Sequence, residues 1–243
     1  MTDDMKIEDP AGDRALIEVR DVHRIFHDGA VEVHALRGVD LDVEAGEFSV
    51  LAGPSGSGKT TLLNVIGCLD RPTKGTVHIG GIEVSDFDRK KAAEFRLRNI
   101  GFVFQAYNLI PVLSAYENAE FVMLLEGIDR EERKKTVEGL LSEVGLEGMF
   151  DRRPHELSGG QQQRVAVVRA LAGHPMVVLA DEPTANLDSK ASEDLLDLMY
   201  GLNQEHDVTF LFSSHDPAVI ERCSRVIRLD SGEVVADERK GEE

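Results

Sequence analysis

From Ala15 to Ala52 the chain alternates apolar with polar residues, "ALIEVRDVHRIF" and then "VEVHALRGVDLDVEAGEFSVLAG", punctuated by Gly and Asp. Period-two alternation interrupted by turn formers predicts antiparallel strands. The pattern then changes: Phe48 to Ala52 is a short apolar run, followed by a Gly-rich turn and the helix-like "KTTLLNVIGCL". "GTVHIGGIEV" predicts a further hairpin, and "IGFVFQ" a buried strand ending at Gln105. Ser114 to Gly148 carries helical spacing in "YENAEFVMLLEG" and "EERKKTVEGLLSEVG", so a mostly helical subdomain is expected there. Beyond it come a long helix from Ser158, a strand "MVVLA", a helix "SEDLLDLMYGLNQEH", a strand "VTFLFSS", a helix "PAVIERC" and the hairpin-like "RVIRLDSGEVVAD". Strands alternating with helices imply an α/β fold, a mainly parallel core sheet flanked by helices on both faces. The expected organisation is one domain over residues 15–237, with an N-terminal antiparallel β subdomain and an inserted helical subdomain at about 106–160, a disordered tail at 1–14 and a polar tail at 238–243.

Composition narrows the classes. The 243 residues suffice for one large domain with a substantial core. Lys and Arg total 27 against 45 Asp and Glu, a net charge of −18 that argues against a nucleic-acid partner, because phosphate backbones attract basic surfaces. The longest apolar runs, "FVMLL" and "MVVLA", are far below the roughly 18 residues a membrane span needs. Cys68 and Cys223 sit in apolar surroundings and read as reduced core thiols, which suits a cytoplasmic compartment.

Candidate chemistry begins at "GPSGSGKT", where Gly53, Pro54, Ser55, Gly56, Ser57, Gly58, Lys59 and Thr60 satisfy the eight-position phosphate-loop pattern, with Thr61 next in line. Glycines let successive N–H groups face phosphate oxygens, Lys59 reaches the β- and γ-phosphates, and the Thr60 hydroxyl suits Mg2+. The helix that follows turns its positive end to the same anion. A dinucleotide fingerprint does not fit, since Thr61 stands where its third glycine would fall. "VVLADEP" puts Asp181 at the C-terminal end of a buried strand, where α/β proteins gather ligands and a carboxylate can hold the metal through its water shell. Glu182 is the candidate to polarise an attacking water. A second helix opens with Ser158, Gly159 and Gly160, again offering a capping hydroxyl and unpaired amides to an anion.

Together these residues resemble the ATP-binding-cassette (ABC) ATPases, P-loop NTPases, over nearly the whole chain. The family signature is Leu157, Ser158, Gly159, Gly160 and Gln161, and its D-loop is Asn186 to Asp188. The resemblance implies ATP and Mg2+ as cofactors, Thr60, Asp181 and Gln105 around the metal, Glu182 as catalytic carboxylate, His215 as a switch residue contacting γ-phosphate, and Phe26 as the ring stacking on adenine. It also implies a head-to-tail homodimer in which Leu157 to Gln161 and Asp188 of one copy cap the ATP held by the other. The stretches "LNVIGCLDRPTKGTVHIGG", "GFVFQAYNLIPVLSAYENAE" and "LADEPTANLDS" are similar to ATPases of the lipoprotein-releasing and macrolide-exporter type (LolD and MacB), with a cell-division ATPase (FtsE) as neighbour and an importer ATPase as competitor. That likeness implies a separate transmembrane permease as partner, membrane contact only through it, and a position on the cytoplasmic face. Tyr107, Leu109, Ile110, Val112 and Leu113 are the expected permease-facing residues.

Overall fold

The alternation of the first strands produces a sheet. In the computed structural model, which describes residues 15–29 and 31–240, β1 (Ile17–Asp28) and β2 (Val31–Val43) pair antiparallel, with Ile17 opposite Val43 and Phe26 opposite Val33. The expected tail at 1–14 lies outside the described residues. After β3 (Phe48–Ala52) and α1 (Lys59–Ile66), the hairpin β4 (Lys74–Ile79) and β5 (Ile82–Glu83) completes a four-stranded antiparallel sheet of order β2-β1-β4-β5. Then comes α2 (Arg89–Asn99), a helix the hydrophobic pattern had not announced. Its sequence is mostly polar, and only Ala92, Phe95 and Asn99 are buried. What starts it is Asp88, whose side chain accepts from the Lys91 amide.

β6 (Ile100–Phe104) stops one residue short of Gln105. The helical insertion is built from α3 (Ala115–Glu126) and α4 (Arg130–Glu143), packed on the start of α5 (Gly159–Leu171). Ser114 and Glu117 form a reciprocal capping box at the start of α3. Fully buried Asn118 donates to the carbonyls of Ile110, Leu113 and Ser114 and accepts from the Ile110 amide, which fixes the loop entering that helix. The chain closes with β7 (Val177–Asp181), α6 (Ser189–His206), β8 (Thr209–Ser214), α7 (Pro217–Arg222), β9 (Arg225–Asp230) and β10 (Glu233–Arg239). The last strand corrects the expected polar tail: Glu238 and Arg239 pair with Val226 and Arg225 inside the sheet.

These strands form a six-stranded sheet of order β10-β9-β3-β8-β7-β6, parallel except for the β9–β10 hairpin. Alternation splits its interior. Val50, Ala180 and Phe212 face a core shared with α3 to α7, while Leu51, Leu179 and Leu211 face a second core shared with α1, α2 and the antiparallel sheet. Both cysteines are buried and free, their thiols pushed up to about 12 by burial, as expected of core residues.

Candidate nucleotide site

Register places the chemistry. Phe104 is opposite Asp181, Asp181 opposite Ser213, and Ala52 opposite Ser214, so four parallel strands end at one level. Gln105, Glu182, His215 and Gly53, each next to a strand end, therefore emerge along a single edge of the sheet. The resulting cleft, about 430 Å³, is lined by Ser55, Gly56, Gly58, Lys59, Thr60, Thr61, Gln105, Glu182 and His215, with Val33, His34 and Ala35 of β2 as its outer wall.

The loop from Gly53 to Thr60 has no room for ordinary side chains at two glycines. A Cβ at Gly53 would lie 2.1 Å from the Leu229 carbonyl oxygen, and one at Gly58, where φ is +104°, 2.6 Å from that of Ala35. Buried Lys59 donates to the carbonyls of Gly53 (2.8 Å) and Pro54 (3.0 Å), which holds its charge inside the loop. The buried Ser57 hydroxyl has no hydrogen-bond partner among the described residues. A loop of free amides, a buried ammonium and an unpaired hydroxyl fits a polyphosphate. Thr60 donates to Asp181 Oδ1 at 3.0 Å, which joins two hard oxygen donors of the kind Mg2+ takes.

Glu182 sits at φ +46°, an uncommon backbone for a non-glycine residue. Its carboxylate is fixed twice, by the Ser214 hydroxyl at 3.1 Å and by His215 Nδ1 at 2.7 Å. The Asn186 side chain donates to the Gln105 carbonyl at 2.8 Å, tying the D-loop to the end of β6.

Not every expected residue gathers here. Phe26 is 40% exposed and outside the cleft lining; the Arg24 guanidinium covers its ring at 4.3 Å, and its cross-strand partner Val33 reaches the cleft instead. Asp188 caps α6 by accepting from the Ala191 amide at 2.8 Å. The signature residues also lie away from this cleft. Leu157 is buried in the helical core; Ser158 accepts from the Gln161 amide and Gln161 Oε1 from the Ser158 amide, a closed capping box. That box leaves the amides of Gly159 and Gly160 with no acceptor among the described residues. Ser214 and Asn186 were missed as supports of Glu182 and Gln105, although both stand inside quoted motifs; only the fold shows whom they hold. The loop Tyr107 to Leu113 divides: Leu109 packs on the helical core while Val112 is 72% exposed.

A phosphate loop on the first parallel strand, a hydroxyl–carboxylate pair beside it and a second, separate helix start with open glycine amides define a P-loop nucleotide hydrolase with an inserted helical subdomain. The ABC transporter family profile matches residues 36–185, and the chain belongs to that family. It is the ATP-binding, ATP-hydrolysing subunit type. It is 46% identical over 222 residues to the lipoprotein-releasing system ATP-binding protein LolD of Anaeromyxobacter dehalogenans, covering 91% of this chain and 93% of that protein. It is equally identical, over the same share of this chain, to the macrolide export ATP-binding/permease protein MacB of Hyphomonas neptunium, of which it spans 34%. A solved dimer of the ATP-binding cassette MJ0796 in a post-hydrolysis state with ADP and phosphate superposes at a TM-score of 0.84, with 42% identity over 92% of this chain and 98% of that one.

Proposed function

We propose that this ATPase works as a homodimer closed around two ATP molecules and drives a separate permease of the lipoprotein-releasing or macrolide-exporter type from the cytoplasmic face of a membrane. The single observation that carries the dimer is the pair of acceptor-free amides at Gly159 and Gly160, held open by a completed capping box and remote from the chain's own phosphate cleft. A second copy brings them a γ-phosphate, and loss of that phosphate releases them. The solved relative is likewise a dimer.

Within each cleft, the loop amides and Lys59 bind the phosphates, and Thr60, Asp181 and Gln105 would hold Mg2+, which would supply positive charge against the phosphates. Glu182, oriented by Ser214 and His215, accepts the proton of the attacking water. Val33, in the outer wall of the cleft, meets the base, and its cross-strand partner Phe26 stacks on it only once the Arg24 guanidinium leaves its ring. No helix among the described residues is long and apolar enough to cross a membrane, and in this reading the permease is a separate polypeptide. Its docking site is the apolar groove of about 340 Å³ next to Gln105, with Leu97, Phe102, Phe104 and Val122 in its walls, and exposed Val112 beyond it.

Replacing Glu182 with Gln tests both halves. The variant keeps ATP binding, loses turnover by roughly 10²-fold or more, the scale of a general base, and elutes as a dimer with ATP in gel filtration. A monomer under saturating ATP overturns the sandwich; undiminished turnover overturns the role of Glu182.

A further inference from the structure

A second polar cavity lies on the opposite side of the docking groove from the nucleotide cleft. It measures about 550 Å³ and is bounded by β1, the turn after α1 and the first half of α2. Four guanidinium groups line it, those of Arg24, Arg71, Arg89 and Arg96, with Asp70 the one acidic residue in its wall. In a chain of net charge −18 this concentration is unexpected. Like-charge crowding opposes folding, so four converging arginines need either acidic partners or a ligand.

Acidic partners account for one of them. Arg24 pairs with Asp70 at 2.7 Å. Arg96 donates to the Cys68 carbonyl at 2.7 Å and Arg71 to that of Phe87, contacts that orient the groups, and neither is in an ion pair among the described residues. Arg89, exposed at the first position of α2, has no ion pair among the described residues. Asp88, the nearest carboxylate in sequence, is spent on the cap: its bond from the Lys91 amide, with a lesser contribution from the charge of Arg71, holds it below the ordinary carboxylate value. Lys90 and Lys91 follow on the same helix turn and add to the positive field.

We propose that this cavity is a second anion site, formed for a phosphate mono- or diester group and independent of the nucleotide cleft. Guanidinium forks match phosphate oxygens in bidentate geometry, and Arg24 and Arg96 are already held by the fold, so little side-chain freedom is lost on binding. The cavity shares Leu69 and Arg96 with the apolar groove proposed to receive the permease, which puts it within reach of either a lipid headgroup or a small phosphorylated solute.

The test uses the full chain with the nucleotide cleft filled by a nonhydrolysable ATP analogue. Inorganic pyrophosphate is titrated calorimetrically, and in parallel the protein is sedimented with vesicles of phosphatidylglycerol or phosphatidylcholine. Arg89→Ala, whose side chain has no partner to lose, weakens binding at least fivefold; Arg71→Ala/Arg89→Ala weakens it further; Lys135→Ala, an equal charge change on exposed α4, leaves it unaltered. Arginine-dependent binding of pyrophosphate alone assigns a soluble ligand, and arginine-dependent binding of phosphatidylglycerol vesicles alone assigns a headgroup. Binding of neither probe, or equal weakening by Lys135→Ala, overturns the proposal, with circular dichroism confirming that each variant is folded.

Discussion

Arg169 shows how one side chain can join two functional segments. It projects from α5 with no carboxylate partner among the described residues, and donates instead to the carbonyls of Asn108 (2.6 Å) and Tyr107 (2.9 Å). Both of those residues sit at positive φ, 50° and 57°, so the turn after Gln105 is held in a conformation that non-glycine residues adopt at a cost. Burial holds the arginine below its ordinary value without removing its charge, since a guanidinium stays protonated in proteins. The same helix begins with the signature residues, so Arg169 makes the Gln105 turn and the signature helix move together. Arg169→Ala is expected to cost about 1 kcal/mol, a net hydrogen bond or two with water partly compensating, which corresponds to a fall of roughly 2 to 4 °C in Tm for a chain of this length. Because the phosphate loop is untouched, ATP affinity stays within twofold while kcat falls severalfold. Nucleotide titration set against steady-state ATPase separates the two, and parallel losses in both would deny Arg169 a positioning role.

At the scale of elements, the packing of β6 on α5 depends on an absent side chain. A Cβ at Gly101 would come within 2.4 Å of the Ala170 carbonyl oxygen, a backbone atom that no rotamer change can move aside. Gly101→Ala must therefore push the strand carrying Gln105 away from the signature helix, at the ~1–3 kcal/mol typical of overpacking. Thermal unfolding and ATPase assays should both register it, whereas Gly139→Ala, in open space inside α4, should leave ATPase unchanged and stabilise the fold by roughly 0.5–1 kcal/mol through helix propensity. An equal response to the two substitutions would remove the close approach as the cause. The contrast also marks what could be read in advance. Strands such as β3 and β8 were legible because they are buried on both faces and carry a continuous apolar stretch, Val50 to Ala52 and Phe210 to Phe212. The phosphate loop and the acidic strand end were legible because their chemistry requires particular residue types at fixed spacing. α2 was not, since a helix with three buried residues among charges has no apolar stripe to detect; Asp88, three residues before Lys91, was its only local signal. Nor could Ser214 or Arg169 be assigned partners, because both act across long sequence separations that only strand order brings together.

At the scale of the molecule, charge and connectivity oppose each other. The end of the chain is clipped back onto the turn that leads from β2 into β3: Arg225 joins Asp237 and Glu47, and Arg239 joins Glu44 and Glu47. The bond from Arg225 holds the Asp237 carboxyl below its usual range, and that from Arg239 does the same for Glu44. A depressed carboxylate contributes stability that is complete above its unfolded value, about 4, and that is lost as pH falls through the lower folded value. Over the whole chain 45 acidic side chains outnumber 27 basic ones, so repulsion at neutral pH opposes compaction. The two effects act in different windows. Above about pH 5 the clip stays ionised, and repulsion among the excess carboxylates is at full strength. Below about 4 the clip carboxylates begin to protonate and stability should fall. Salt discriminates further, because at 0.5 M the Debye length is only about 4 Å and long-range repulsion between exposed carboxylates is screened, whereas buried Arg225 and its partner Glu47 are screened less. Thermal unfolding from pH 3 to 8 at 20 mM and 500 mM KCl is then expected to show Tm falling below about pH 4 at both salt concentrations and, from pH 5 to 8, a higher Tm at 500 mM than at 20 mM. A Tm that falls on adding KCl at pH 8 would mean that paired surface charges, not excess carboxylates, dominate the electrostatics of this ATPase.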